Sequence, residues 1–256
     1  MGVVNVTPDS FSDGGRFLDA ETAVSHARRL VEEGADIVDV GGESSRPGAL
    51  PVSEEEELGR ILPVLEGLKG LPIPVSVDTR RAAVMQGALK AGASMINDIE
   101  ALQAPGALQA VAASGCGVCL MHKKGEPATM QEAPRYDDVV AEVGRFLKDR
   151  IGACEEAGIA RERIVVDPGF GFGKTLEHNL ALLKELTAFK KLGVPLLVGW
   201  SRKSSLGKIT GRPANERLPA SLAMVLLSLQ AGATILRVHD VRETKDVIAV
   251  WQAYNQ

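Results

Sequence analysis

The sequence predicts a single (β/α)8 barrel spanning residues 1–256, on three observations. Short runs of β-branched and aliphatic residues recur, each ending in polar residues; helical patterns lie between them; and the length suits a barrel of about 250 residues. The first runs are Val3–Val4 into Asn5, Ile37–Val40 before Gly41–Arg46, Val75–Val77 into Asp78, and Met95–Ile96 into Asn97. Then come Val118–Met121 into His122, Ile164–Val166 into Asp167, Leu196–Val198 before Ser201–Lys203, and Ile235–Leu236 before Arg237 and His239. In this fold the reacting groups stand at the C-terminal ends of different strands, which makes the polar tips the candidate site.

Strand one ends at Asn5 or Val6 and opens into a long loop rich in Asp, Ser, Pro and Gly, with one apolar ring, Phe11. With so few anchoring groups, it reads either as a solvated connection or as a lid. The helix that follows has Ala23, Ala27, Leu30 and Val31 on its buried side and Gly34 at its end. Strand two delivers GGESSRPG (41–48), whose glycines allow a tight turn. Its Ser44, Ser45 and Arg46 are donors suited to phosphate or carboxylate, with a solvated loop as the alternative. Glu54–Glu57 reads as a helix start, where negative charge suits the dipole, rather than as a site.

Strand three carries Asp78 at its tip; strand four carries Asn97, with Asp98 just beyond. Strand five ends at Met121–His122, and a long loop leads to a helix over Asp137–Gly158. His122 reads as a satisfied structural residue rather than a ligand. Strand six belongs to RIVVDPGFGFGKT (163–175), where Pro168 and Gly169 end the strand and leave Asp167 at its tip. The glycines let backbone approach a ligand closely. A P-loop would need glycine five residues before Gly173, and that residue is Pro168. After strand seven, Ser201, Arg202, Lys203 and Ser204 offer two cations and two hydroxyls. Arg237 and His239 are two apart and share a face, and the loops after strands seven and eight are the usual phosphate site of such barrels.

Bulk properties agree. The chain is 45% hydrophobic and 24% charged, as expected of a soluble domain with a large core. A net charge of −4, 4% aromatics and no basic stripe argue against nucleic-acid binding. No run of about 18 apolar residues and no signal-peptide pattern is present, so no membrane association and a cytoplasmic enzyme are expected. The three cysteines suit a reducing compartment. Cys116 and Cys119 lie three apart in a strand-like run and point to opposite faces, against a redox or metal pair. Cys154 falls on the apolar face of its helix with Val143, Leu147 and Ile151.

Seven motifs together, NVTPDSFSDGG (5–15), GGESSRPG (41–48), VSVDT (75–79), IND (96–98), DPGFGFGK (167–174), GWSRKS (199–204) and RVHDV (237–241), resemble those of the dihydropteroate synthases. These are pterin-binding barrels of the folate pathway and the target of sulfonamides. The match runs end to end, in order and spacing. Ser45 stands where the family often has Thr, which keeps the hydroxyl. Family members carry a longer segment before the first motif, extending strand one across the barrel's base.

The resemblance implies a condensation of 6-hydroxymethyl-7,8-dihydropterin diphosphate with p-aminobenzoate, giving 7,8-dihydropteroate and diphosphate, with Mg2+ as cofactor and a homodimer as the assembly. It implies a pterin pocket of Asp78, Asn97, Asp167 and Lys203, and a diphosphate site of Asn5, Arg46, Arg237 and His239, with Asn5 reaching the metal. Phe11, Ser45, Pro47, Phe172 and Ser204 would form the p-aminobenzoate pocket. Asp78, Arg46, Asp13 and Lys203 would act in catalysis through a dissociative step. A pterin-dependent methyltransferase barrel would share Asp78, Asn97 and Asp167 but has no use for SRKS and RVHD. A non-catalytic pterin-binding paralogue should have lost loop residues that are all present here.

Overall fold

The computed structural model of the protein describes residues 1–6, 16–44 and 51–256. Strands and helices alternate along it as β1 (Gly2–Asn5), α1 (Arg16–Glu32), β2 (Val38–Gly41), α2 (Glu54–Gly67), β3 (Val75–Asp78), α3 (Ala82–Lys90), β4 (Met95–Asp98) and α4 (Ala107–Ala112). The second half continues with β5 (Gly117–Met121), α5 (Val139–Glu156), β6 (Ile164–Asp167), α6 (Leu176–Lys184), β7 (Leu197–Val198), α7 (Ser204–Thr210), α8 (Leu218–Gln230), β8 (Ile235–Leu236) and α9 (Val241–Tyr254).

Strands β1 to β6 pair in parallel in sequence order, and β7 pairs with β8. Single parallel bridges, Val166 with Leu196 and Gly2 with Val238, link the two groups at both ends. Val166 N–H donates to Pro195 O at 3.0 Å, and Val3 N–H to Val238 O at 3.0 Å. The strands thereby ring a common axis in the predicted (β/α)8 arrangement. Among the described residues no helix is long and apolar enough to cross a membrane.

Two cores follow from the side-chain alternation of the strands. Outward-facing residues such as Val4, Val38, Val40, Ile96, Val118 and Val166 pack with helix faces, including Ala23, Ala27 and Leu30 of α1. Inside the ring, Met1, Met95, Cys119 and Leu197 form a small cluster of their own, with Ile37, Val165 and Ile235 against it. Cys116 and Cys119 fall on opposite sides of the β5 wall, as extended backbone requires, and all three cysteines are free and buried. On α5, Val143, Leu147, Ile151 and Cys154 are all buried, and burying such side chains contributes about 1.5–3 kcal/mol each for the larger ones. Asp138 caps that helix, its carboxylate accepting from Val140 N–H and Ala141 N–H at 3.0 Å.

The interior becomes polar toward the C-terminal ends of the strands. Asn5, Gly41, Asp78 and Asn97 are register partners across β1 to β4. One layer below, Asp39 pairs in register with Ser76.

Candidate active site

The site is built on a buried acid that interrupts an apolar strand. Asp39, in the middle of β2, is fully buried. Its Oδ2 accepts from Arg237 Nε at 2.7 Å and from Asn97 Nδ2 at 3.1 Å. Arg237 reaches back across the barrel from just beyond β8, and its Nη2 donates to Asp78 Oδ2 at 2.9 Å. One guanidinium therefore ties two strand acids together, a geometry its planar fork suits. Burial pushes the Asp78 carboxyl up to about 7, against the pull of Arg237 and with the help of neighbouring Asp39. Burial works against the charge on Arg237, yet Asp39 and Asp78 hold its pKa above the ordinary arginine value. A β-carbon on Gly41 would stand 3.6 Å from Asp78 Cβ and 3.8 Å from Asn5 Oδ1. The missing side chain keeps a cleft open between those two groups.

Asp167 forms the opposite wall. It is 5% exposed and accepts from Gly169 N–H at 2.7 Å. Burial raises its pKa, with Lys203 the main opposing charge. Lys203 donates to Phe170 O, and its ammonium lies 4.6 Å from the Phe172 ring centroid. Burial pushes Lys203 down to about 8, opposed by the Asp167 carboxylate. The loop between them needs glycine. A β-carbon on Gly169 (φ +69°) would meet His122 O at 1.9 Å, and one on Gly173 (φ +62°) would meet Lys124 O at 2.1 Å. Gly169→Ala adds left-handed strain to a backbone collision; a loss of about 3 kcal/mol is expected, read as a lower urea midpoint at unchanged m-value.

At the rim, His239 and Arg202 each have a side-chain partner. His239 is oriented by Ser201, whose Oγ lies 2.9 Å from His239 Nδ1 and accepts from His239 N–H at 3.2 Å. Arg202 pairs with Asp240 at 2.5 Å, so this cation of the SRKS segment is already engaged. Ser204 is exposed at the first position of α7 and Phe172 is half-buried. Phe11, Asp13, Ser45, Arg46 and Pro47 lie outside the described residues. His122 is structural: it is buried with its ring edge-on to Phe146, and burial with the charge of Lys174 pushes its pKa to about 3.

Two further features extend the sequence reading. Asp39 had a visible signal, an acid inside the apolar run Ile37–Val40. Glu57, read as part of a helix start, is fully buried and paired with Arg81. Helix α2 does begin there, at Glu54 with Ser53 as its cap. Arg81 also donates to Glu43 at 2.8 Å, and Glu43 accepts from Arg80 and from Val52 N–H, both at 3.2 Å. This cluster joins β2's C-terminal end to the approach to α2 beside the polar mouth.

Taken together, the mouth offers carboxylates, an amide and cations around one cleft. Such a set suits a flat heterocycle with donor and acceptor edges, bearing an anionic substituent. The family model described as "Pterin binding enzyme" matches residues 1–239. A dihydropteroate synthase of Escherichia coli (strain K12) is 52% identical over 254 residues, covering 99% of this chain and 90% of that protein. The structure of the Yersinia pestis dihydropteroate synthase in a sulfonamide drug complex superposes with a TM-score of 0.95 at 48% identity, covering 100% of this chain and 93% of that one. The Xanthomonas albilineans dihydropteroate synthase in complex with 7,8-dihydropteroate superposes with a TM-score of 0.90 at 51% identity, covering 100% of this chain and 92% of that one.

Proposed function

The chain belongs to the pterin-binding enzyme family and, within it, to the dihydropteroate synthases; on that premise we propose that it condenses 6-hydroxymethyl-7,8-dihydropterin diphosphate with p-aminobenzoate as one catalytic domain. The observation that carries the reading is the polar mouth itself, where Asp78, Asn97, Asp167, Lys203 and Arg237 gather from separate strand ends. The buried carboxylate of Asp167 takes paired hydrogen bonds from the amidine-like edge of the pterin, beside Lys203. Asp78 and Asn97 hold the opposite side of the ring, with Asp39 fixing the Asn97 amide at 3.1 Å.

The diphosphate lies toward Asn5, Arg46, Arg237 and His239. As the C–O bond breaks, negative charge grows on the leaving group and positive charge on the pterin methylene. Cations at the rim and the Asp78 carboxylate oppose those developing charges, so they act on the transition state more than on the ground state. The reading assigns Phe11, Asp13, Ser45, Arg46 and Pro47 to this site, with Phe172 and Ser204 in the p-aminobenzoate pocket. Exclusion of water protects the cation until the aniline nitrogen attacks it.

Mg2+ belongs to this reading as a companion of the diphosphate. Among the described residues no group of three or more His, Cys, Asp or Glu could hold a metal ion. Asn5 offers one neutral oxygen, and Mg2+ readily completes its shell with water and substrate phosphate oxygens, so the donor set fits an ion held jointly by Asn5 and diphosphate. When bound, it would offset charge on the leaving group. The reading includes a cytoplasmic homodimer.

The test follows diphosphate release from the dihydropterin diphosphate with Mg2+, with and without p-aminobenzoate, alongside dihydropteroate formation. Release matched by dihydropteroate supports the synthase; pterin binding without turnover points to a non-catalytic paralogue. No pterin binding would sink the reading.

A further inference from the structure

Lys174 lies beyond every residue assigned above, yet it is 3% exposed and its amino group is enclosed by protein. Its Nζ donates to Gly169 O at 2.8 Å and Phe172 O at 3.0 Å, and lies 3.0 Å from His122 Nδ1 and 3.3 Å from His122 O. Burial lowers the Lys174 pKa well below the ordinary lysine value, against the pull of Asp167, and its N–H groups find acceptors on two elements, the tip of β5 and the loop after β6. Held neutral by burial, His122 can accept at Nδ1.

Each carbonyl from Gly169 to Gly173 accepts from a side chain. Lys203 serves Phe170 O, Gln131 serves Gly171 O, and Tyr136 Oη serves Gly173 O at 2.9 Å. Gly171 N–H in turn donates to Asn179 Oδ1 at 2.7 Å. Lys174 alone among these donors holds two of the five carbonyls, the ones at Gly169 and Phe172. Gly169 O also accepts from Phe172 N–H at 3.1 Å, so the Lys174 amino group closes a ring of bonds around the Phe172 backbone.

We propose that Lys174 is a positioning residue for the p-aminobenzoate pocket: its buried amino group fixes the Gly169–Phe172 backbone and so sets where the Phe172 ring stands against Lys203. The inference rests on the synthase reading and on Phe172 lining that pocket. Without the Lys174 amino group Phe172 O loses its donor and Gly169 O keeps only the Phe172 N–H, and the loop relaxes by turning the Phe172 carbonyl toward water and moving the ring with it.

The experiment is a double-mutant cycle on the full chain. Lys174→Met is expected to raise KM for p-aminobenzoate about tenfold while kcat and the Kd for the pterin substrate stay within about threefold. Phe172→Ala alone raises the same KM, and adding Lys174→Met to it brings no further rise, because the two act through one group. Additive effects, an unchanged KM, or equal losses in pterin affinity would overturn the inference, since a residue that only supports packing lowers stability without coupling to Phe172. Should Lys174→Met fold poorly, Lys174→Gln keeps a donor for one carbonyl and is expected to show a smaller KM rise with the same coupling. A wild-type enzyme that forms no dihydropteroate overturns the synthase reading, and this inference with it; an active wild type with an additive cycle overturns the inference alone.

Discussion

Asp167→Asn is expected to lower the affinity for the pterin substrate, and with it kcat/KM, about a thousandfold, equivalent to about 4 kcal/mol. The carboxylate sits at the end of β6, buried, with one oxygen already accepting from Gly169 N–H at 2.7 Å. Asparagine can keep that bond through its own carbonyl oxygen, but it then turns a donor toward the edge of the ring that also donates. Two donors facing each other in a dry pocket cost far more than a lost contact at a surface. The protein itself should not suffer. Burial raises the pKa of Asp167, so the folded state holds this carboxylate against its solvation preference. A neutral isostere therefore leaves the melting temperature unchanged or higher. Calorimetric titration with the pterin substrate, paired with a thermal melt, checks both halves. A loss of affinity smaller than tenfold, or a loss of stability matching the loss of binding, would remove Asp167 from the pterin wall.

The residues legible in the sequence were those whose position follows from local rules. A β-branched run ended by a polar residue marks a strand tip without knowledge of the rest of the chain. Asp78, Asn97 and Asp167 all stand at such tips and do close β3, β4 and β6 or fall within their last two residues. The opposite faces of Cys116 and Cys119 likewise needed only strand alternation. What was not legible depends on long-range approach. Arg237 reaches Asp39 across 198 positions of sequence, and no spacing rule signals that pair. Asp39 was visible as an acid in an apolar strand, but its partners came only with the closed ring. Glu57 looked like a dipole-compensating acid among four, and burial separates it from Glu54, Glu55 and Glu56. Lys174 was read only as the end of a glycine motif, because its acceptors are backbone carbonyls, which any sequence supplies.

Asp78→Asn is expected to lower kcat about a hundredfold to a thousandfold, about 2.7–4 kcal/mol, the usual range for removing one preorganised electrostatic partner of a transition state. Pterin affinity should fall much less, because Asn97, Asp167 and Lys203 remain. The pH dependence gives the sharper reading. Burial pushes the Asp78 carboxyl up to about 7, against the pull of Arg237, so the acid limb of kcat/KM should lie near neutrality rather than at ordinary carboxylate values. Lys203, pushed down to about 8 by burial, sets the alkaline limb, and the profile is a narrow bell. Stability runs the other way on the acid side. Between the ordinary carboxylate range and about 7 the folded protein keeps a proton that the unfolded chain has released, so the Asp78 contribution to stability declines as pH rises through that window. Asp78→Asn acts on both effects at once: the acid limb moves away from neutrality, and the stability slope across the window shrinks to what other buried carboxyls contribute, chiefly Asp98, which burial also pushes up to about 7. An acid limb that stays near neutrality in the variant would assign it to another group, and Asp78 would then hold the ring without steering the charge.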